Sequence, residues 1–251
     1  MRRDGFDRAW VLHTRPYRET SLLLELFSPE AGRIGAVLRG GRKPRRGEAR
    51  IEPFLALSGA LRGRGELRTL AQSNVVDRSP LRGQGLYAGF YLNELVVRLV
   101  EREDPQERLF AEYEGALQVL ARLPADADAI GLEPVLRRFE FALLNVLGYG
   151  LDLLTDRNGE EVEPTHEYLV RPDAGVEPVL GTPPADALVV SGRALLAIEA
   201  GAFTDAEVLR GAKRVARAAL APHLGPRPLT SRALFAGRRS GGVGSDSSGS
   251  A

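Results

Sequence analysis

The first 80 residues alternate between short apolar runs of period two and dense turn chemistry, and this pattern narrows the possible folds more than any other feature. Residues 9–17, 20–28, 33–39, 53–61 and 66–76 read as strands. Arg15-Pro16, Pro29-Glu30-Ala31-Gly32, Gly40-Gly41 and Gly63-Arg64-Gly65 punctuate them. Five short strands in a row leave unpaired edges unless the sheet curls on itself. A small closed barrel of the OB type is therefore expected, with an SH3-like barrel giving much the same pattern.

Pro80 marks a change of period. Leu86, Phe90, Val97 and Val100 fall at helical spacing and predict a helix over 82–103. A second helix is expected over 105–123, with Pro105 in its first turn. A third is expected over 133–147, where Leu136, Phe139 and Leu143 share a face and Gly148-Tyr149-Gly150 ends it. Residues 151–190 break the pattern. Arg157-Asn158-Gly159-Glu160 and Pro172-Asp173-Ala174-Gly175 are hairpin-type turns in a small, loop-rich β insert. Helices resume over 191–200 and 204–220, the latter opening on a Thr204–Glu207 capping box and stopping at Pro222. A short helix is expected over 230–235, and 237–251 is a Gly/Ser tail expected to be disordered. The expected architecture is α+β: an OB-fold barrel at 1–80, then a helical domain at 81–236 carrying the insert.

The formal charge of +1 conceals a division. Residues 1–80 hold 16 Lys and Arg against 9 Asp and Glu, whereas the remainder is acidic by six. A basic half joined to an acidic one points the first half at a polyanion. Only Lys43 and Lys213 are lysines; the planar fork of arginine bonds phosphate oxygens in pairs. The charge peaks in the 39–50 loop, which carries Arg39, Arg42, Lys43, Arg45, Arg46 and Arg50 against Glu48. Such a loop is either a solvated connection or a track for a phosphate backbone. Arg15, Arg18, Arg33, Arg62 and Arg64 on the neighbouring strands extend the same field and favour the second reading. Of the aromatics among these strands, Trp10, Phe27 and Phe54 suit a core, and Tyr17, between Pro16 and Arg18, is the best candidate to stack on a base.

Two further basic features lie in the acidic half. Arg137 and Arg138 adjoin Phe139 and Phe141. They are either the wet face of a helix or the basic rim of an apolar groove for an acidic peptide. Arg210, Lys213, Arg214 and Arg217 fall on one face of the 204–220 helix, again either a solvated face or a nucleic-acid contact, which Arg227 and Arg232 would widen.

Catalysis finds little support. His13, His166 and His223 have no metal-like partner at helical spacing, and no Walker loop or nucleophile elbow is present. No catalytic residue, metal or cofactor is expected. Without cysteine there are no disulfides and no thiolate zinc site. No apolar run approaches a membrane span and no signal core opens the chain, so a cytoplasmic, nucleoid-associated protein is expected.

Residues 9–22, Ala-Trp-Val-Leu-His-Thr-Arg-Pro-Tyr-Arg-Glu-Thr-Ser-Leu, together with Leu38-Arg39-Gly40-Gly41-Arg42 and Arg64-Gly65-Glu66-Leu67, resemble the RecO family of bacterial recombination and repair mediators. The likeness continues in Leu86-Tyr87-Ala88-Gly89-Phe90-Tyr91-Leu92-Asn93-Glu94-Leu95, in Leu136-Arg137-Arg138-Phe139-Glu140 with Leu147-Gly148-Tyr149-Gly150, and in Pro228-Leu229-Thr230-Ser231-Arg232-Ala233-Leu234-Phe235. The resemblance implies an OB-fold, binding of single- and double-stranded DNA, and annealing of complementary strands. It also implies partnership with RecR and with the acidic C-terminal tail of single-stranded-DNA-binding protein (SSB), in support of RecA loading. Many members carry a four-cysteine zinc motif after the Leu-Gly-Tyr-Gly segment. Here Thr155-Asp156-Arg157-Asn158-Gly159 stands there instead, as in the zinc-free branch, whose tail-binding groove falls on the helix that includes Arg137. From the residues alone, an RNA-binding or ribosome-associated adaptor built on a small basic barrel is the alternative.

Overall fold

A computed structural model describes residues 5–44, 46–47, 49–63, 65 and 67–231, without the side chains of 129 and 130. Arg45, Arg64, Arg232 and the tail from 237 lie outside the described residues, as does all but the start of the expected 230–235 helix.

Five strands close into a barrel: β1 (Gly5–Tyr17), β2 (Ser21–Ser28), β3 (Gly32–Leu38), β4 (Leu55–Arg62) and β5 (Leu67–Arg78), in the order β1-β2-β3-β5-β4 with β4 returning to β1. All pairings are antiparallel except β3 with β5, so this is the OB-type barrel expected. Period-two alternation sends Ala9, Val11, Leu22, Leu24, Leu26, Ile34, Leu55 and Leu57 into the barrel. The opposite face of the same strands is also buried. Trp10, Leu12, Phe27, Phe54 and Ala56 leave the barrel and join the helical core. This explains why β2 reads Leu-Leu-Leu-Glu-Leu-Phe, with almost no polar alternation.

The helices that cover this outer face are α1 (Gly83–Leu99), α2 (Glu107–Arg122) and α3 (Ala129–Val146). The rings of Phe110 and Tyr113 on α2 lie 5.5 and 5.9 Å from that of Phe27. A buried polar chain crosses the seam: Asn93 Nδ2 donates to the Leu12 carbonyl at 2.8 Å, and Tyr113 Oη donates to Asn93 Oδ1 at 2.6 Å. Burial holds the Tyr113 hydroxyl well above its ordinary pKa.

Three expectations about these helices are corrected. α1 ends at Leu99, because the 100–104 connector folds against the barrel: Glu103 adopts φ 58 and donates its N–H to the Arg33 carbonyl. Pro105 stands outside α2, two residues before Glu107. α3 starts at Ala129 rather than 133, because Asp128 caps it by accepting from Gly131 N; Pro134 sits inside.

The insert forms a three-stranded sheet from β6 (Glu167–Arg171), β7 (Gly175–Pro178) and β8 (Val189–Ser191), with β6 central. It packs with α4 (Gly192–Glu199) and α5 (Ala206–Leu224) around a second core of Tyr168, Val170, Leu195, Ile198, Val208 and Val215. The cap of α5 is Asp205, which accepts from Glu207 N and Val208 N, and not Thr204. The helix runs through Pro222 to Leu224 and stops at Gly225, φ 65. No helix among the described residues is long and apolar enough to cross a membrane.

Candidate nucleic-acid interface

Strand register brings part of the basic set together. Arg15 lies opposite Leu23, Leu23 opposite Val37, Val37 opposite Thr69, and Thr69 opposite Arg62. Directly opposed residues share a sheet face, so these five form one transverse row on the outer face, with an exposed arginine at each end. Tyr17, Arg39 and Leu67 fall on the same face, each two residues from a member of the row.

The turn between β1 and β2 closes this end of the barrel. Tyr17 pairs with Ser21 across three residues, and Arg18 in the turn takes φ 52, a left-handed conformation uncommon outside glycine. Arg42 braces it. Its Nη1 donates to the carbonyls of Arg18, at 3.1 Å, and Glu19, at 2.9 Å, while its backbone N–H donates to the Thr20 carbonyl at 3.0 Å. The basic loop therefore folds back onto the turn. Between them opens a cleft of about 580 Å³ lined by Tyr17, Arg18, Glu19, Thr20, Ser21, Val37, Arg39, Leu67 and Thr69. The Arg18 guanidinium stands 5.3 Å from the centre of the Tyr17 ring. Leu67 and Thr69 escaped sequence reading, because only the β3–β5 register places them here.

Arg15, Arg18, Arg39, Arg42, Lys43, Arg46 and Arg62 are all exposed, and none is ion-paired to a carboxylate among the described residues. Arg33 is the exception to the expected set. It sits at the other end of β3, half-buried. It bonds Glu25 at 3.2 Å and, through Nε, the Val100 carbonyl at 2.8 Å. Burial, then the neighbouring Arg102, lower its pKa against the pull of Glu25. It belongs to the set of arginines that staple the barrel to the helices. Arg8 bonds Asp77 and Glu114, Arg68 pairs with Glu103, and Arg102 with Glu25.

The second expected set divides likewise. Arg137 is 5% exposed and donates to Glu140 Oε1 at 2.8 Å; that oxygen also accepts from Tyr91 Oη at 2.6 Å. Glu140 thus ties α3 to α1 through Tyr91, and Arg137 is buried against it rather than exposed at the helix surface. Phe141 is likewise committed, its ring stacked on Phe203 at 6.1 Å between the two helical cores. Arg138 points outward, as do Arg210, Lys213, Arg214 and Arg217. Lys213 pairs with Glu133, and Arg214 donates to the carbonyls of Val189 and Ala187. Arg138, Arg210 and Arg217 have no carboxylate partner among the described residues.

The 155–161 turn, where the resemblance would put zinc, does not fit a metal. The chain has no cysteine, and no group of three or more His, Asp or Glu among the described residues is placed to hold an ion. The Asp156 carboxylate organises the turn instead. Oδ1 accepts from the amides of Asn158, at 2.8 Å, and Glu160, at 3.0 Å. Partial desolvation opposes its ionisation, but these bonds outweigh it and hold the pKa below the usual range.

Similarity to known proteins agrees with this arrangement. The model of the recombination protein O N terminal matches residues 1–78, and that of the recombination protein O C terminal matches 82–233. The DNA repair protein RecO of Pseudomonas aeruginosa (strain PAO1) is 45% identical over 231 residues, covering 92% of this chain and 94% of its own. That of Alkalilimnicola ehrlichii is 45% identical over 229 residues, covering 90% and 89%, and that of Klebsiella pneumoniae 41% over 235, covering 92% and 93%. A closed five-stranded barrel, a helical region with a small sheet, and matches spanning both halves make this chain a member of the RecO family of DNA repair proteins.

Proposed function

We propose that this protein acts as a recombination mediator that binds single- and double-stranded DNA through the outer face of the barrel and anneals complementary strands. The observation that carries the reading is the division of the arginines. Those at the seam are consumed by carboxylates, whereas those at the turn end of the barrel are exposed and have no ion pair among the described residues. Cations kept exposed at one end of an OB-type barrel suit a polyanion. Annealing follows from the same electrostatics, since neutralised strands repel one another less. The exposed set Arg138, Arg210 and Arg217 supports the docking of an acidic peptide such as the SSB C-terminal tail, or a second stretch of DNA. Partnership with RecR and a contribution to RecA loading belong to the same reading, with family membership as their support, and no catalytic step is assigned.

The test is the salt dependence of DNA binding. Affinity for an unstructured oligonucleotide should fall linearly on a log–log plot against salt. Changing Arg39, Lys43, Arg46 and Arg62 together to alanine should flatten that slope by roughly three, at about 0.7 per lost contact on single strands. An unaltered slope moves the DNA surface elsewhere, and an affinity indifferent to salt ends the reading.

A further inference from the structure

We infer that the cleft beside the β1–β2 turn is a subsite for one unpaired nucleobase, with Tyr17 as its stacking platform and Arg42 as the positioning residue that keeps it open. The inference rests on the proposed DNA-binding reading and adds to it a means of telling single strands from duplex.

Four observations converge. The cleft, at about 580 Å³, falls within the roughly 300–1,000 Å³ of small-ligand sites and opens to solvent on the basic face. Its wall includes a half-buried tyrosine rather than an aliphatic residue. An aromatic face on a wet, basic surface suits a base better than a phosphate, because every base offers a π-face. The Arg18 guanidinium already stands over the ring. A cation so close to the ring also suits the phosphate of a nucleotide stacked there. Val37, Leu67 and Thr69 line the same cleft and offer a base apolar surface and a hydroxyl. Arg39 also lines the cleft as a second phosphate partner, and Glu19 is the one carboxylate among its described lining residues.

The turn that carries this platform holds an unusual conformation at a non-glycine residue. Arg18 at φ 52 costs free energy that surrounding contacts must offset. Arg42 supplies two of them, gripping two successive carbonyls with one nitrogen and tying its own backbone to a third. Lysine would keep the charge at this position but would offer these carbonyls a strongly hydrated ammonium on a flexible stem instead of a guanidinium nitrogen. Arg42 therefore acts through the turn, not on the base. A base inside a duplex is stacked on both sides and cannot enter, so the subsite would act on single strands alone.

The test compares three ligands of equal length: an oligothymidylate, the same backbone with abasic sites, and a duplex. The wild-type protein should prefer the oligothymidylate to the abasic strand. Tyr17→Ala should weaken oligothymidylate binding about 5- to 20-fold, the lower part of the range for base–aromatic stacking. Binding to the abasic strand and the duplex should stay within about twofold, while Tyr17→Phe keeps the preference. Arg42→Lys should lose part of it, and more than Lys43→Ala does, although the former keeps its charge. An oligothymidylate labelled with 2-aminopurine should be quenched by wild type and Tyr17→Phe but not by Tyr17→Ala. If Tyr17→Ala retains the wild-type preference, or loses all three ligands equally with its melting temperature intact, the base subsite is wrong while DNA binding stands. If the wild-type protein binds none of the three, the subsite falls together with the DNA-binding reading.

Discussion

At the scale of single residues, neighbours in sequence have opposite fates. Arg137 and Arg138 are indistinguishable by composition, yet a helix turns adjacent side chains about 100° apart. One is buried against Glu140, itself 2% exposed, and the other is in water. The sequence carries the signal that separates them only in part. Phe139 and Leu143 fix the buried stripe and Glu140 lies at i+3 from Arg137, but nothing local says that Tyr91 of α1 would bond Glu140 there. Arg137→Ala should cost about 2–3 kcal/mol in urea denaturation, because it removes one partner of a buried carboxylate. Arg138→Ala should stay within about 0.5 kcal/mol. Equal stabilities would mean that Arg137 does not bear on folding. Most of the barrel arginines that stood out in the sequence are exposed, whereas Tyr17, expected to be the exposed aromatic, is half-buried. Which arginines remain exposed was not legible, since Arg33 differs from Arg39 only in lying at the end of β3 that meets Glu25 and Arg102.

At the scale of elements, the strands were read to within a few residues because turn glycines and prolines bound them. The helices were less legible. Of the residues whose spacing predicted this helix, Leu86, Phe90 and Val97 are half-buried and Val100 is buried, while Ala88, Gly89, Leu92, Leu95 and Val96 fill the inside. The cause is that α1 is covered on several sides. A Cβ on Gly89 would stand 2.4 Å from Leu81 Cδ1 and 2.9 Å from Phe54 Cε1, so small residues mark the closest approach to the barrel. The outer face of α1 has its own task. Glu94 accepts four hydrogen bonds from the N–H and hydroxyl groups of Thr230 and Ser231, at 2.6–2.9 Å. One turn on, Arg98 donates to the carbonyls of Leu224 and Arg227. Burial raises the pKa of Glu94, but those four bonds outweigh it and leave it below its ordinary 4.5. A depressed carboxylate stabilises fully above its unfolded value and loses that stabilisation as pH falls through the lower, folded one. Exchange of the Thr230 and Ser231 amides should therefore stay slow down to about pH 4.5 and rise below it. Glu94→Gln should exchange faster at neutral pH and show no such step.

At the scale of the whole molecule, two halves that read as separate domains share a core. Trp10 and Phe27 leave the barrel to pack with Phe110 and Tyr113, and Trp10 Nε1 donates to Glu114 Oε1 at 2.8 Å. β2 is apolar on both faces, and nothing in its own sequence says what covers the outer one. The ion cluster at the other end of the seam makes the same connection, with Glu25 between Arg33 and Arg102. Glu25→Gln leaves two partly buried cations facing each other and should cost about 1–3 kcal/mol. Because the cores are joined, unfolding by urea should remain one transition at a lower midpoint. Two separated transitions would show that the seam is not cooperative.

The doubly buried strands also bear on how such a chain is made. Translation delivers the barrel first, at about 5–20 residues per second. Until α1 to α3 emerge, Trp10, Leu12, Phe27, Phe54 and Ala56 form an uncovered apolar face on a sheet that is otherwise complete. For those seconds the nascent chain carries a sticky surface that the finished protein hides. A chain ended at Pro80 would keep that apolar face in water permanently.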